Sequence, residues 1–187
     1  VYNKNGGRMS LRDITKDLHT EAEQTVFAKK LFTGGISTEE YAKYLWQMVL
    51  VYNGIETAAN SQGMLKNLPD IERAHKIYQD CIELVGPTHQ LKWLPETIDY
   101  YQYLIELNYS DRKHLIKAHT YCRHMGDLSG GQIIAKKVPG QGKFYQFKDP
   151  EALKTTIRAE LTDDLGDEAR VAFKWAIKIM KALNAEL

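Results

Sequence analysis

Cysteine is scarce in this chain of 187 residues: there are two, Cys81 and Cys122. That is too few for a disulfide framework and fits a reducing compartment. Charge of one sign is not in excess either. Lys and Arg number 25 against 24 Asp and Glu, so no global field exists to hold nucleic acid or an anionic membrane. No apolar run approaches the ~18–20 residues of a membrane span; the most apolar stretch, Tyr44 to Tyr52, is short and interrupted by Gln47. Residues 1–25 contain no apolar signal-peptide core. Together these absences predict a cytoplasmic protein, with Val1 to Arg8 a leader or expression remnant, Met9 the native start and residues 9–187 a single domain.

Strand signals are also weak. Asn53-Gly54, which could turn a hairpin, sits inside a helical pattern. The five prolines leave stretches 1–68, 96–138 and 151–187 uninterrupted, and long helices can form there because proline is excluded from helix interiors. There is no repeat, low-complexity tract, heptad seam, Cys-x-x-Cys or His-Glu-x-x-His spacing, and no nucleophile elbow. Hydrophobic residues at 43% and charged residues at 26% are ordinary for a globular domain, and a chain of this size buries roughly 70% of its unfolded surface.

Helix signals are frequent. Ser10 precedes an apolar stripe of Leu11, Ile14, Leu18 and Ala22. Ser37-Thr38-Glu39-Glu40 is a capping box opening a helix to about Ala59. Asp70 is expected to open another, ending near Gly86. Pro95 suits a first helical position before Thr97 to Leu107. Ser110 is expected to cap a long helix from Asp111 to about Lys137, and Asp149-Pro150 a further one. Gly166 and Asp167 separate that helix from a last one ending near Leu187. The expectation is an all-α bundle of about seven helices.

Gly126, Gly130 and Gly131 fall within the long 111–137 pattern, and each costs a helix interior about 1 kcal/mol relative to Ala. Gly126 and Gly130 would lie about 40° apart on one face, a side-chain-free trough at which the helix can bend and a flat ligand or another backbone can approach. The plainer reading is a helix end followed by a second helix. His19 borders the first apolar stripe with Glu23 one turn on, so Glu23 can orient one ring nitrogen and leave the other for a metal; a half-buried histidine with an i, i+4 partner reads equally from spacing. Lys154 and Arg158 share a helix face. They are either a solvated face, with Glu151 pairing Lys154, or a grip for carboxylates.

The run Tyr121-Cys122-Arg123-His124-Met125-Gly126-Asp127-Leu128-Ser129-Gly130-Gly131-Gln132 resembles the distal-helix signature of heme oxygenases. Leu11 to Glu23, with His19-Thr20-Glu21-Ala22-Glu23, is similar to the proximal helix of the same family. The resemblance spans about Ser10 to the C-terminus. It implies a helical bundle with heme b between a proximal and a kinked distal helix, and His19 as the iron ligand supported by Glu23. It further implies Gly126, Gly130 and Gly131 as the bend over the heme, and Asp127, with Tyr52 and Arg123, as the anchor of a distal water network serving O2. Arg12, Lys154 and Arg158, with Tyr121 close by, would hold the propionates. Because all three cations match, the resemblance implies cleavage at the α-meso carbon to biliverdin IXα with release of CO and Fe2+. The short loop Gln141 to Tyr145 is similar to that of the enzymes of photosynthetic microbes, implying a ferredoxin-type electron donor and a downstream bilin reductase. The chain departs from the common pattern at Cys122, at His124-Met125 in place of Tyr-Leu, and near Ala176, where animal enzymes carry a polar residue. Two other readings remain at this level. One is a non-catalytic heme carrier or sensor. The other is an interaction module on the same fold, or a relative hydrolysing thiamine-type substrates.

Overall fold

A computed structural model describes residues 9–86 and 91–186; the segment Val1 to Arg8, expected to be a leader or remnant, lies outside them. Among the described residues there are nine α-helices and no strand. Helix α1 (Leu11–Gln24) starts at the Ser10 capping box: Ser10 Oγ accepts from the Asp13 amide at 3.2 Å and Asp13 Oδ2 accepts from the Ser10 amide at 3.2 Å. Its buried stripe, Leu11, Thr15, Leu18 and Ala22, faces α9 (Gly166–Ala185). Arg170 of α9 fastens that contact, donating to the Ile14 carbonyl at 2.7 Å and to both Asp17 carboxylate oxygens at 2.6 and 2.8 Å. The hydroxyl of Thr25 then restarts the chain as α2 (Val26–Thr33), accepting from the Ala28 amide at 3.2 Å.

The central element is α3 (Thr38–Ser61), opened by the predicted Ser37–Glu40 box. Tyr41, Leu45, Met48, Tyr52 and Ile55 on it are almost fully buried. Against it pack α4 (Ala74–Val85), α5 (Pro95–Asn108) and α6 (Ile116–Leu128), with α6 also lying on α9 and on α8 (Pro150–Ala159). The short α7 (Gly131–Ile134) follows α6.

Four expectations about elements need correction. Asp70 does not open a helix; it is held at φ 63°, and the helix starts at Ala74. Its first amides are bonded by a side chain from another helix. Glu56 of α3 accepts from Arg73 N at 2.5 Å and Ala74 N at 3.1 Å, so the orphan donors of a helix start are met without a local cap. Ser110 is followed by a 3₁₀ turn, Lys113–Leu115, and the helix begins only at Ile116. The single helix expected to reach Lys137 is two, α6 and α7. Gly166 is not a separator but the first residue of α9, where a Cβ would come within 3.1 Å of Ile14 Cδ1.

Arg73 is completely buried. Its guanidinium lies 4.0 Å over the Phe147 ring and donates to the carbonyls of Asp70, Ile71, Phe144 (3.2 Å) and Gln146 (2.7 Å). The segment before α8 is thereby tied to the turn before α4. Asp80 holds the same segment from α4, accepting from Lys143 N at 3.0 Å and Phe144 N at 2.8 Å.

Candidate functional site

Asp127 is the penultimate residue of α6 and is buried. Its Oδ2 accepts a hydrogen bond of 2.6 Å from the hydroxyl of Tyr52, in the middle of α3. The carboxyl is pushed up to about 7, chiefly by burial; the charge of His124, the Tyr52 hydrogen bond, Arg123 and Arg73 pull the other way. The Tyr52 phenol is pushed well above its ordinary value by burial and by the Asp127 charge. A carboxyl that titrates near neutrality while holding a phenolic hydroxyl can accept and return a proton without large cost.

Just beyond Asp127 the helix breaks. Ser129 takes φ −116°, ψ −90°, and α7 begins at Gly131. Gln132 bridges the break, its Nε2 donating to the Asp127 carbonyl at 3.0 Å and to the Tyr145 carbonyl at 2.9 Å. The bend therefore comes from a helix end and a restart, and the continuous trough expected of Gly126 and Gly130 is not formed. The glycines have three different surroundings. Gly126 is exposed and a Cβ there would meet nothing within 4 Å. One at Gly130 would touch Phe32 at 3.5 Å, an ordinary contact, and one at Gly131 would strike the Tyr145 ring at 2.7 Å. Close packing against Tyr145 accounts for Gly131, whereas Gly126 presents bare backbone to an open face.

Arg123, one turn before Asp127, lies 5.8 Å from the Tyr100 ring with Nη1 3.9 Å from Met48 Sδ. Its Nε and Nη2 are buried without a hydrogen-bond partner among the described residues, so two charged donors are left for a ligand or water. His19 is exposed on α1, its ring edge-on to Phe173 of α9 at 5.7 Å. Glu23 Oε2 stands 3.7 Å from His19 Nδ1, within ion-pair range but beyond a hydrogen bond; both side chains are about half exposed, so nothing confines them. The Tyr121 phenol is raised by burial and by Cys122, and drawn back by the charges of Arg12 on α1 and Arg158 on α8. Lys154 is occupied, donating to Glu151 at 2.8 Å.

Two residues that sequence reasoning did not put in the site lie behind it. His124 packs edge-on to Tyr52 at 5.3 Å, and its Nε2 is 3.3 Å from Glu56 Oε1. Glu56 gave no signal, since one acid in a helical pattern reads as surface. His124 was visible only as a departure from the common Tyr.

An exposed imidazole, cations gathered around Tyr121, a bare glycine face and a buried acid with orphaned guanidinium donors fit a flat, metal-bearing ligand with carboxylate arms. The heme oxygenase family model matches residues 8–182. The chain belongs to the heme oxygenase family. It is 29% identical over 204 residues to heme oxygenase 1 of the cyanobacterium Nostoc, covering 95% of this chain and 85% of that protein. It is 28% identical over 207 residues to rat heme oxygenase 1, covering 95% and 71%. Among solved structures it is similar to heme oxygenase-1 of Synechocystis in complex with heme, with a TM-score of 0.83 and 26% identity over 94% of this chain and 91% of that one. It also resembles heme oxygenase 2 of Chlamydomonas reinhardtii without heme, with a TM-score of 0.78 and 25% identity over 92% and 95%. Heme oxygenase chemistry, with heme and O2, is the activity of this family. No helix among the described residues is long and apolar enough to cross a membrane.

Proposed function

We propose that residues 9–187 form a catalytic domain that cleaves heme at the α-meso carbon, giving biliverdin IXα, CO and Fe2+, with electrons from a ferredoxin-type donor. The setting is the cytoplasm and a bilin reductase takes the product. Heme, as substrate, supplies the iron at which O2 is activated and the ring that is opened. His19 ligates that iron through the nitrogen not facing Glu23. Arg12 and Arg158 beside Tyr121 take the propionates, and Lys154 exchanges Glu151 for one of them; the grip sets the rotation of the ring and hence the carbon attacked. Gly126 lets the ring approach the backbone of α6, and the chain turns away beyond it at Ser129, with Gly130 against Phe32 and Gly131 against Tyr145. Asp127 and Tyr52 hold and return the proton that the reaction needs, and Arg123 supplies further donors.

The observation that carries this reading is the Tyr52–Asp127 pair at 2.6 Å, a buried acid near neutrality one residue from the open Gly126 face. A carrier has no use for such an acid. The test is a hemin titration followed by reductant and O2, watched by absorbance. A sharp Soret band should give way to the broad band of biliverdin, and His19→Ala should lose both unless imidazole is supplied. A stable Soret band without turnover would mean a carrier or sensor, and no Soret band would overturn the site altogether.

A further inference from the structure

His124 is fully buried, and each of its ring nitrogens faces an acceptor. Nδ1 lies 3.1 Å from the Thr120 carbonyl oxygen and Nε2 lies 3.3 Å from Glu56 Oε1. A carbonyl oxygen has only lone pairs to offer. Glu56 is an acceptor as well, because it already takes the Arg73 and Ala74 amides at the start of α4, where the helix dipole favours negative charge. A neutral imidazole has one N–H and could satisfy one of these partners; a proton on each nitrogen satisfies both.

The same ring is edge-on to Tyr52 and one helical turn before Asp127. A proton held on this ring would be the largest of the influences that oppose burial at Asp127. The tyrosine common to the family at this position would bring no such charge.

We propose that His124 is a buried cation, held between Glu56 and the Thr120 carbonyl, that acts as a positioning residue for the Tyr52–Asp127 pair. This rests on the role given above to Asp127.

The other charged groups around the pair are few. Arg73 acts on both Asp127 and Glu56, and Arg123 acts on Asp127 from its own helix. The phenols of Tyr41 and Tyr44 on α3, and of Tyr145 from the 3₁₀ turn before α8, also feel the Asp127 charge. On the outer side of Glu56 the groove between α3 and α4 carries Glu72 and His75.

The test uses the full chain without heme, labelled with ¹⁵N in histidine and ¹³C in aspartate. The His124 ring at neutral pH should show the nitrogen signature of an imidazolium. The Asp127 carboxyl should titrate about one pH unit higher in both His124→Tyr and His124→Gln, the scale on which a nearby opposite charge moves a carboxyl. Gln keeps a donor for Glu56 without the charge, so a rise there separates charge from packing. A neutral His124 ring in the unsubstituted protein, or an unmoved Asp127 midpoint in His124→Gln, would overturn the proposal. If neither variant folds, the ring signature of the unsubstituted protein decides. Because hemin is not used, the outcome is independent of whether the protein turns heme over.

Discussion

Replacing Gly126 and Gly131 by alanine should move stability in opposite directions, although the two residues stand in one short motif. Gly126 is inside α6 with nothing near the added methyl. Gly126→Ala should therefore recover most of the helix penalty of glycine, roughly 0.5–1 kcal/mol. Gly131→Ala would gain a similar amount from the backbone but places its methyl 2.7 and 2.9 Å from two carbons of the Tyr145 ring. That ring cannot step back: it is buried, and stacked on Phe144 at 4.2 Å. Overpacking of this kind costs about 1–3 kcal/mol, leaving a net loss of up to about 2 kcal/mol. For a chain of this length 1 kcal/mol is about 2–4 °C in Tm. Thermal unfolding of the heme-free variants by far-ultraviolet circular dichroism would therefore show Gly126→Ala a few degrees above the unsubstituted protein and Gly131→Ala below it. Turnover should reverse the benefit, because the stabilised Gly126→Ala carries a methyl on the face proposed for heme. A loss of stability in Gly126→Ala, or a gain in Gly131→Ala, would refute the distinction between an open and a packed glycine.

Asp127 also predicts a pH effect on stability. Burial raises its carboxyl from 3.8 to about 7, so the folded chain keeps a proton that the unfolded chain releases, and stability falls as pH rises from about 4 to about 7. Asp127→Asn, whose amide oxygen can still accept from Tyr52, removes the effect. Its advantage in urea unfolding should grow between about pH 5 and pH 8, towards a limit on the order of 4 kcal/mol; an equal difference at both pH values would contradict the assignment. Replacing Lys154 and Arg158 together by alanine should leave hemin binding largely intact but yield a mixture of biliverdin isomers by chromatography, and a single unchanged isomer would remove these two residues from the control of ring rotation.

The helical character was legible because capping boxes and apolar stripes are local. Ser10, the Ser37–Glu40 box and Pro95 marked real helix starts, and the stripe from Leu11 to Ala22 does bury against α9. The errors arose where a distant residue does the local work. Asp70 looked like a cap, but the first amides of α4 go to Glu56, and Asp70 instead takes Lys76 at 2.6 Å. The three glycines could be found in sequence but not told apart, since one is defined by a ring fourteen residues on and another by the lack of any neighbour. Arg73 reads as a surface charge in any periodicity. Only the carbonyls of the 144–146 segment, folded back over it, make it interior. Asp127 and Tyr52 were both named through the resemblance; the burial that raises the acid, and the packing of His124 against Tyr52, could not be read from the motif.

A helix whose first amides are bonded by a carboxylate from another helix cannot fray at that end on its own. Arg73 and Ala74 lose their acceptor only when α3 and α4 separate or Glu56 swings away. Their hydrogen exchange should follow the opening of that helix pair, at the free energy of a cooperative unit rather than of a loose terminus. In the order of assembly, α3, started by its own Ser37–Glu40 box, can form early, and the beginning of α4 is completed only on its surface.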